Sequence, residues 1–164
     1  LKPENLNIVA VIPFPLNIKN IKLHKYLLNK TINQIRKSKY VSKIYLISQK
    51  NLIKNKSVII IDRLKNNISN NLSLDEILSK SLKIIEKNND YPDSLIFVNY
   101  DYLSRPDKLI DQIILEAQYT GSDTVFAAHL DYGHYWLKSD TGEYLQTDSS
   151  LLSREKRKPT YEGR

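Results

Sequence analysis

The sequence contains no cysteine among its 164 residues. A disulfide framework, a thiolate zinc site and a cysteine nucleophile are therefore all excluded. Methionine is also absent, including at position 1, so we expect the chain to be a processed product or an excerpt. We further expect the domain to be incomplete at its C-terminus and to continue beyond Arg164.

Glycine is scarce, with four residues in the whole chain, at positions 121, 133, 142 and 163. The dinucleotide-binding fingerprint and the Walker A loop both need glycines directly after a strand. No glycine follows the first apolar run of this chain, so both motifs are excluded. The chain also lacks a Gly-x-Ser-x-Gly sequence, which argues against an α/β-hydrolase.

Long hydrophobic runs are missing as well. No apolar segment approaches the roughly 18–20 residues that a membrane-spanning helix needs, and no signal-peptide core follows the first lysine. Hydrophobic residues make up 41% and charged residues 26%, which is typical of a globular protein. We therefore predict a cytoplasmic protein with no membrane partner, whose length suits one domain over residues 1–164.

Charge is distributed unevenly along the chain. Residues 1–70 contain 14 Lys and Arg but only two acids, whereas residues 71–153 contain six Lys and Arg and 14 acids. A basic half can attract a polyanion such as nucleic acid or a nucleoside triphosphate. The lysines are spread out, however, and aromatic residues do not alternate with them as in proteins that bind single strands. Heavy use of Lys, Asn and Ile explains the same charge, so nucleic acid is disfavoured as a partner.

Strand-like and helix-like segments alternate along most of the sequence. Short apolar runs predict strands at residues 7–13, 43–48, 58–61, 95–98, 124–128, 135–138 and 143–146. Helical spacing of apolar residues predicts helices at 22–38 and 74–88 and a third that starts at Arg105-Pro106. A capping box formed by Ser73 and Glu76 marks the start of the second helix. This order predicts an α/β fold with a mainly parallel sheet in three layers, α/β/α.

In such a sheet, ligands bind beyond the carboxyl ends of the strands. At one of these ends Asn99-Tyr100-Asp101 is followed by Arg105. A carboxylate at this place can hold Mg²⁺, and an arginine can bind a carboxylate or phosphate group. Alternatively, Asp101 starts a turn, and Arg105 pairs with Asp107 or caps a loop.

One further cluster, His129, Asp131 and His134, has the residue types of a metal site. The segment reads as a turn and no fourth ligand is evident, so surface histidines are the favoured interpretation.

Several segments resemble one family in residues and spacing. They are Ala10-Val11-Ile12-Pro13, Lys19-Asn20-Ile21, Arg63 ahead of the Ser73-capped helix, Val98 to Arg105, and Ser153-Arg154-Glu155 with Pro159-Thr160-Tyr161. The chain is similar here to the acylneuraminate cytidylyltransferases, the CMP–acidic-sugar synthetases. One departure stands out: the family's Arg-x-Gly-Ser-Lys loop, which cradles the nucleotide phosphates, is replaced by a shorter segment at residues 13–18.

This resemblance implies a nucleotidyltransferase fold of the glycosyltransferase-A type. It also implies roles for individual residues. The implied nucleotide-binding residues are Pro13, Asn17, Lys19, Asn20 and Arg63. The implied substrate-binding residues are Asn99, Arg105, Arg154 and Tyr161, the last two near the sugar or a dimer contact. Lys19, Arg105 and Asp101 would be catalytic, and Asp101 would hold the implied cofactor Mg²⁺.

The leading hypothesis is therefore an enzyme that transfers CMP from CTP to an acidic sugar for surface glycans, with CTP, the sugar and a second copy of the chain as partners. One alternative is a non-catalytic relative that acts as a binding or assembly module, because the shortened loop offers two prolines and only Lys19. Another is a basic domain associated with nucleic acid, whose binding would fall steeply with salt.

Overall fold

The computed structural model describes residues 3–53, 55–102, 104–147, 156 and 160–163. Its internal contacts divide the chain into two compact units, Leu1–Val125 and Phe126–Arg164. Among these residues, the first unit contains three α-helices and a four-stranded sheet, and the second contains two small two-stranded sheets. In the part of the chain that the structure describes, no helix is long and apolar enough to cross a bilayer.

The first unit alternates strands and helices as predicted. A short 3₁₀ turn at Pro3–Asn5 precedes the first strand. The strands are β1 (Ile8–Pro13), β2 (Val41–Ser48), β3 (Ile59–Asp62) and β4 (Ser94–Phe97). The helices are α1 (Ile21–Ile35), α2 (Leu74–Lys87) and α3 (Leu109–Thr120).

All four strands are parallel and lie in the order β3-β2-β1-β4. Strand β1 is paired on both sides: Val11 is opposite Tyr45 of β2 and opposite Phe97 of β4. The chain thus steps from β1 to β2 to β3 in one direction and then returns to the other side of β1 for β4. All carboxyl ends lie at one edge of the sheet, which we call the carboxyl edge.

Successive residues of β1 face opposite sides of the sheet, and each side has its own apolar core. Ala10 and Ile12 pack in a cluster with residues of α1, and Ile110 of α3 packs against that cluster. Val9 and Val11 pack in the other cluster, which contains residues of α2. Helices therefore cover both faces of the sheet, which confirms the predicted three-layer α/β/α fold.

The predicted helix starts and ends hold with two exceptions. Helix α2 begins with the expected capping box, in which Ser73 and Glu76 exchange hydrogen bonds. Helix α3, expected to start at Arg105-Pro106, begins instead at Leu109 because Lys108 has a left-handed backbone, with φ of 63°. The segment before Lys108 is held by side-chain bonds from Arg105 to α1, which override the local helix-start signal.

Helix α1 was expected to reach residue 38 but ends at Ile35. The hydroxyl of Ser38 donates to the carboxylate of Asp111 and accepts bonds from the N–H groups of Tyr40 and Val41. These bonds form a turn, and they anchor the start of β2 to the first turn of α3.

A polar network lies at the amino end of the sheet, around Asp90. The side chain of Asp90 is 8% exposed, and it accepts hydrogen bonds from the hydroxyl of Tyr45 and from Nδ2 of Asn7, the latter at 2.9 Å. Lys43 Nζ lies 2.9 Å from Oδ2 of Asp90, the oxygen that also accepts from Tyr45. The network joins the loop after α2 to β2 and to the residue that precedes β1.

The second unit contains β5 (Ala128–Asp131), β6 (Trp136–Lys138), β7 (Tyr144–Gln146) and β8 (Thr160–Gly163). Strands β6 and β7 form the predicted hairpin. The strand predicted at 124–128 is wrong, because the strand in this region starts at Ala128 and runs to Asp131. This strand, β5, pairs antiparallel with β8. No strand was predicted in the part of the sequence that forms β8.

Candidate functional site

The loops at the carboxyl edge meet around the place where the strand order reverses, between β1 and β4. In open α/β sheets this is where ligands bind, because the loops on the two sides diverge and leave a crevice. The candidate site therefore consists of the loops after β1 and β4. The loop after β3 is added because Arg63 and Asn70 bond it to the loop after β1.

An aromatic cluster, which no sequence pattern predicted, lies at the carboxyl edge. The ring of Tyr100 lies 4.7 Å from that of Phe14 and 5.8 Å from that of His24, measured between centroids. The Tyr100 hydroxyl is hydrogen-bonded to Nδ1 of His24 at 3.0 Å. Burial, together with the charge of Asp101, raises the pKa of Tyr100, so the phenol stays protonated at neutral pH. The cluster ties the loops after β1 and β4 to the first turns of α1.

The expected nucleotide-binding residues after β1 lie in one short segment. Pro13 is the half-buried last residue of β1, and Asn17, Lys19 and Asn20 are exposed. Asn17 and Asn20 have left-handed backbones, with φ of 57° and 56°, a conformation that asparagine tolerates better than most residues. Within the described residues, no hydrogen bond or ion pair occupies the side chains of Asn17, Lys19 and Asn20, so the structure brings these three together on an accessible loop.

Arg63, expected in the nucleotide pocket, follows β3 at the same edge but is buried, with 2% of its surface exposed. Its guanidinium donates hydrogen bonds to the backbone carbonyls of Phe14, Ile68 and Ser69. Burial lowers the pKa of Arg63. The structure thus places Arg63 beside the candidate loop, with its bonds directed at the protein backbone.

The residues expected to bind the sugar follow β4. Arg105 donates to the carbonyls of Asn99 and Tyr102, and to Thr31 and Gln34 of α1. Burial lowers the pKa of Arg105, against the opposing effect of the Asp101 charge. Asn99 and Arg105 are therefore brought together, and Asp101 is an exposed carboxylate close enough to act on Arg105.

Lys19 and Arg105 are not brought side by side. Lys19 precedes the first turn of α1, whereas Arg105 contacts Thr31, ten residues into that helix and about 15 Å along its axis. The catalytic assignment of Lys19, Arg105 and Asp101 stays a prediction.

The last two expected substrate residues lie elsewhere in the chain. Tyr161 belongs to β8 in the second unit, and 71% of its surface is exposed. Arg154 lies outside the described residues. Both assignments stay predictions from the resemblance.

The side chains at the carboxyl edge favour an anionic ligand. Lys19, Lys50 and Lys65 are exposed in the loops after β1, β2 and β3. The carboxylate of Asp62, at the end of β3, already accepts hydrogen bonds from two backbone N–H groups of the following turn, which reduces its repulsion of an anionic ligand. A surplus of exposed cations attracts phosphate groups.

A resident magnesium centre does not fit these side chains. Among the residues that the structure describes, no group of three or more His, Asp or Glu side chains could hold a metal ion. This holds also for His129, Asp131 and His134. Asp101 is a single exposed carboxylate, so the described residues of the chain supply no preformed metal cage.

No protein-family model matches the chain, and no curated protein matches it. Among solved structures, the chain is similar to the crystal structure of 4-diphosphocytidyl-2C-methyl-D-erythritol synthase, with a TM-score of 0.60 and 10% sequence identity. The similarity covers 97% of this chain and 73% of that chain. At this identity the likeness concerns the fold alone. The likeness shows that the chain shares the α/β fold of that synthase, and it shows no family for the chain.

Proposed function

We propose that the chain is a nucleotidyltransferase domain that binds CTP at the carboxyl edge, between β1 and β4. One observation carries the proposal: an accessible loop with Asn17, Lys19 and Asn20 lies where the strand order reverses, in a fold shared with a synthase of a diphosphocytidyl compound. The exposed lysines of the neighbouring loops support a ligand that carries phosphates.

We extend the proposal to the transfer of CMP to an acidic sugar. In this reaction a sugar hydroxyl oxygen forms a bond to the α-phosphorus of CTP. The bond from that phosphorus to the oxygen bridging to the β-phosphate breaks, pyrophosphate leaves, and the hydroxyl proton passes to a base or to solvent. Lys19 would stabilise the phosphate charge, since phosphoryl transfer depends mainly on positioning and electrostatics. The resemblance around Asn99 and Arg105 supports the acidic sugar.

Mg²⁺ would enter such a site together with the triphosphate, because in nucleotide enzymes this ion is held largely by phosphate oxygens and water with one or two carboxylates. Asp101 is the carboxylate that this chain offers. A homodimer is a further part of the proposal. The exposed apolar side chains of the second unit support it, among them Phe126, Leu137, Tyr144 and Tyr161.

Isothermal titration calorimetry with CTP tests the proposal, with ATP as the competing nucleotide and each titration run with and without Mg²⁺. We expect selective CTP binding, and Lys19→Ala should weaken it about ten- to hundredfold through loss of a charged phosphate contact. Lys87→Ala, at the far end of α2, is the matched control and should leave the affinity unchanged.

Three outcomes would contradict this proposal. Failure to bind any nucleotide at millimolar concentration would favour the non-catalytic alternative. Binding to duplex DNA that falls steeply with salt would favour the nucleic-acid alternative. Equal CTP affinity in Lys19→Ala and the wild type would show that the phosphates do not bind at the loop after β1.

A further inference from the structure

The loop after β1 is held without glycine. It begins Pro13-Phe14-Pro15, and no glycine lies in the first 120 residues of the chain. The N–H of Phe14 donates to the carbonyl of Ile47 at the end of β2, at 2.9 Å, so the loop starts in register with the sheet. From Pro15 onward, other groups must fix the backbone.

Arg63 supplies the first of these groups. Its Nη1 donates to the Phe14 carbonyl at 2.9 Å, its Nε to the Ile68 carbonyl at 3.0 Å and its Nη2 to the Ser69 carbonyl at 2.7 Å. The Arg63 N–H itself donates to the Ser48 carbonyl at 2.9 Å. One buried side chain therefore joins the loop after β1 to the loop after β3, while its own backbone is fixed to the end of β2.

These partners are all uncharged carbonyl groups. In the described part of the chain, no carboxylate forms an ion pair with Arg63, although the guanidinium is almost fully buried. A buried charge is costly unless it is paired or hydrogen-bonded, so the three carbonyls compensate for its loss of water. The planar guanidinium can reach three carbonyls in fixed directions, which a lysine ammonium cannot reproduce.

Asn70 supplies the second group, seven residues further along. Its Nδ2 donates to the carbonyl of Leu16 at 2.9 Å, and its Oδ1 accepts from the N–H of Leu16 at 2.9 Å. The side-chain amide of Asn70 thus bonds both the N–H and the carbonyl of Leu16, as a residue of a neighbouring β-strand would do with its backbone. Together, Arg63 and Asn70 fix the backbone on both sides of Pro15.

We propose that Arg63 and Asn70 are positioning residues that preorganise residues 14–20 for the nucleotide, Arg63 acting through loop carbonyls and not by contact with the ligand. The inference rests on the proposed function. It differs from what the family resemblance implies, in which Arg63 lines the nucleotide pocket. Preorganisation matters because a loop that is already ordered loses less conformational freedom when it binds a ligand.

The test compares Arg63→Lys and Asn70→Ala with the wild type by CTP calorimetry and by hydrogen–deuterium exchange of the loop after β1. Arg36→Lys, at the exposed end of α1, is the matched control. We expect Arg63→Lys and Asn70→Ala each to bind CTP about ten- to hundredfold more weakly and to exchange faster at residues 14–20, with the helical circular-dichroism signal retained. The control Arg36→Lys should behave as the wild type. The double variant should lose less affinity than the two single losses together predict, because both side chains act on one loop.

Another variant, Arg63→Ala, distinguishes a positioning role from general destabilisation, because only the former predicts rescue by added guanidinium ion. Added guanidinium ion at low concentration should slow exchange in the loop and restore CTP affinity to this variant alone. If Arg63→Lys unfolds, the milder Asn70→Ala decides the question.

The outcomes separate the two proposals. Wild-type affinity in Arg63→Lys and Asn70→Ala would overturn the positioning role. Loss of CTP affinity in Arg63→Lys with unchanged loop exchange would also overturn it, because it would show direct contact between Arg63 and the ligand. If the wild type itself binds no CTP, the proposed function fails instead.

Discussion

Replacing Asp90 should destabilise the first unit strongly. In Asp90→Ala the buried hydroxyl of Tyr45 loses its acceptor, which costs about 1–3 kcal/mol when the donor cannot reach water. Lys43 is 44% exposed and stays hydrated, so the loss of its ion pair adds at most about 1 kcal/mol. The expected decrease in the free energy of unfolding is therefore about 1–4 kcal/mol. Asp90→Asn, which keeps an acceptor for Tyr45, should lose about half of that.

The assay is urea unfolding followed by far-UV circular dichroism at pH 7. Every α-helix in the described residues belongs to the first unit, so this signal reports on the network, whereas the only tryptophan, Trp136, belongs to the second unit. Asp123→Ala removes an exposed carboxylate and should change the free energy of unfolding by less than about 0.5 kcal/mol.

The pH dependence provides a second check. Burial raises the pKa of Asp90, but the hydrogen bonds from Tyr45, Lys43 and Asn7 outweigh it and hold the pKa below the ordinary value of 3.8. A carboxyl group with a depressed folded-state pKa stabilises the fold above its unfolded pKa, and this contribution disappears as the pH falls through the folded value. The difference between the wild type and Asp90→Asn should thus be constant from pH 7 to about pH 5 and shrink below pH 3.8. A difference of less than about 0.5 kcal/mol between Asp90→Ala and Asp123→Ala, or one that persists unchanged at low pH, would refute this account.

Two further predictions concern the loop after β4 and the assembly. Arg105→Met should lower the free energy of unfolding, measured in urea, by about 2–4 kcal/mol, because it removes the donor for the carbonyls of Asn99 and Tyr102. A variant that keeps its full stability and loses only turnover of the sugar would instead show that Arg105 binds the substrate. Sedimentation equilibrium should show a dimer that Leu137→Glu or Tyr144→Glu dissociates. Thr141→Glu, at the exposed turn of the same hairpin, is the control, and a monomeric wild type would end the dimer proposal.

Local patterns were sufficient to predict most of the first unit. Strands β1 and β2 are short, largely buried apolar runs, and the start of α2 is marked by the capping box of Ser73 and Glu76. Strand β8 gave no such signal, because Thr160–Gly163 is a strand only through pairing with β5, about 30 residues earlier. The start of α3 was misplaced for the same physical reason, since tertiary bonds from Arg105 prevail over a proline and an acid that favour a helix start.

The candidate site was predictable in place but not in detail. The rule that ligands bind at the carboxyl ends of parallel strands pointed to the loops at this edge. Asn17, Lys19 and Asn20 lie there on one accessible segment, and their role in binding stays a prediction. The hydrogen bond between His24 and Tyr100 joins residues 76 positions apart, so no sequence window contains it. For Arg63, the residue type suggested a ligand contact, whereas its burial and its three carbonyl partners are visible only in the folded chain.

The position of β1 at the middle of the sheet affects how the chain is made. Its pairing with β4 joins residues 86 positions apart, beginning with Ile8 opposite Ser94. Pairings this distant in sequence close large loops and slow the folding step that completes the sheet. On a translating ribosome, β1 emerges long before β4, and its apolar residues then border an unpaired strand edge. Such an edge is a site for wrong pairing between nascent chains, so cells that make this protein quickly should form inclusion bodies more readily than cells that make it slowly.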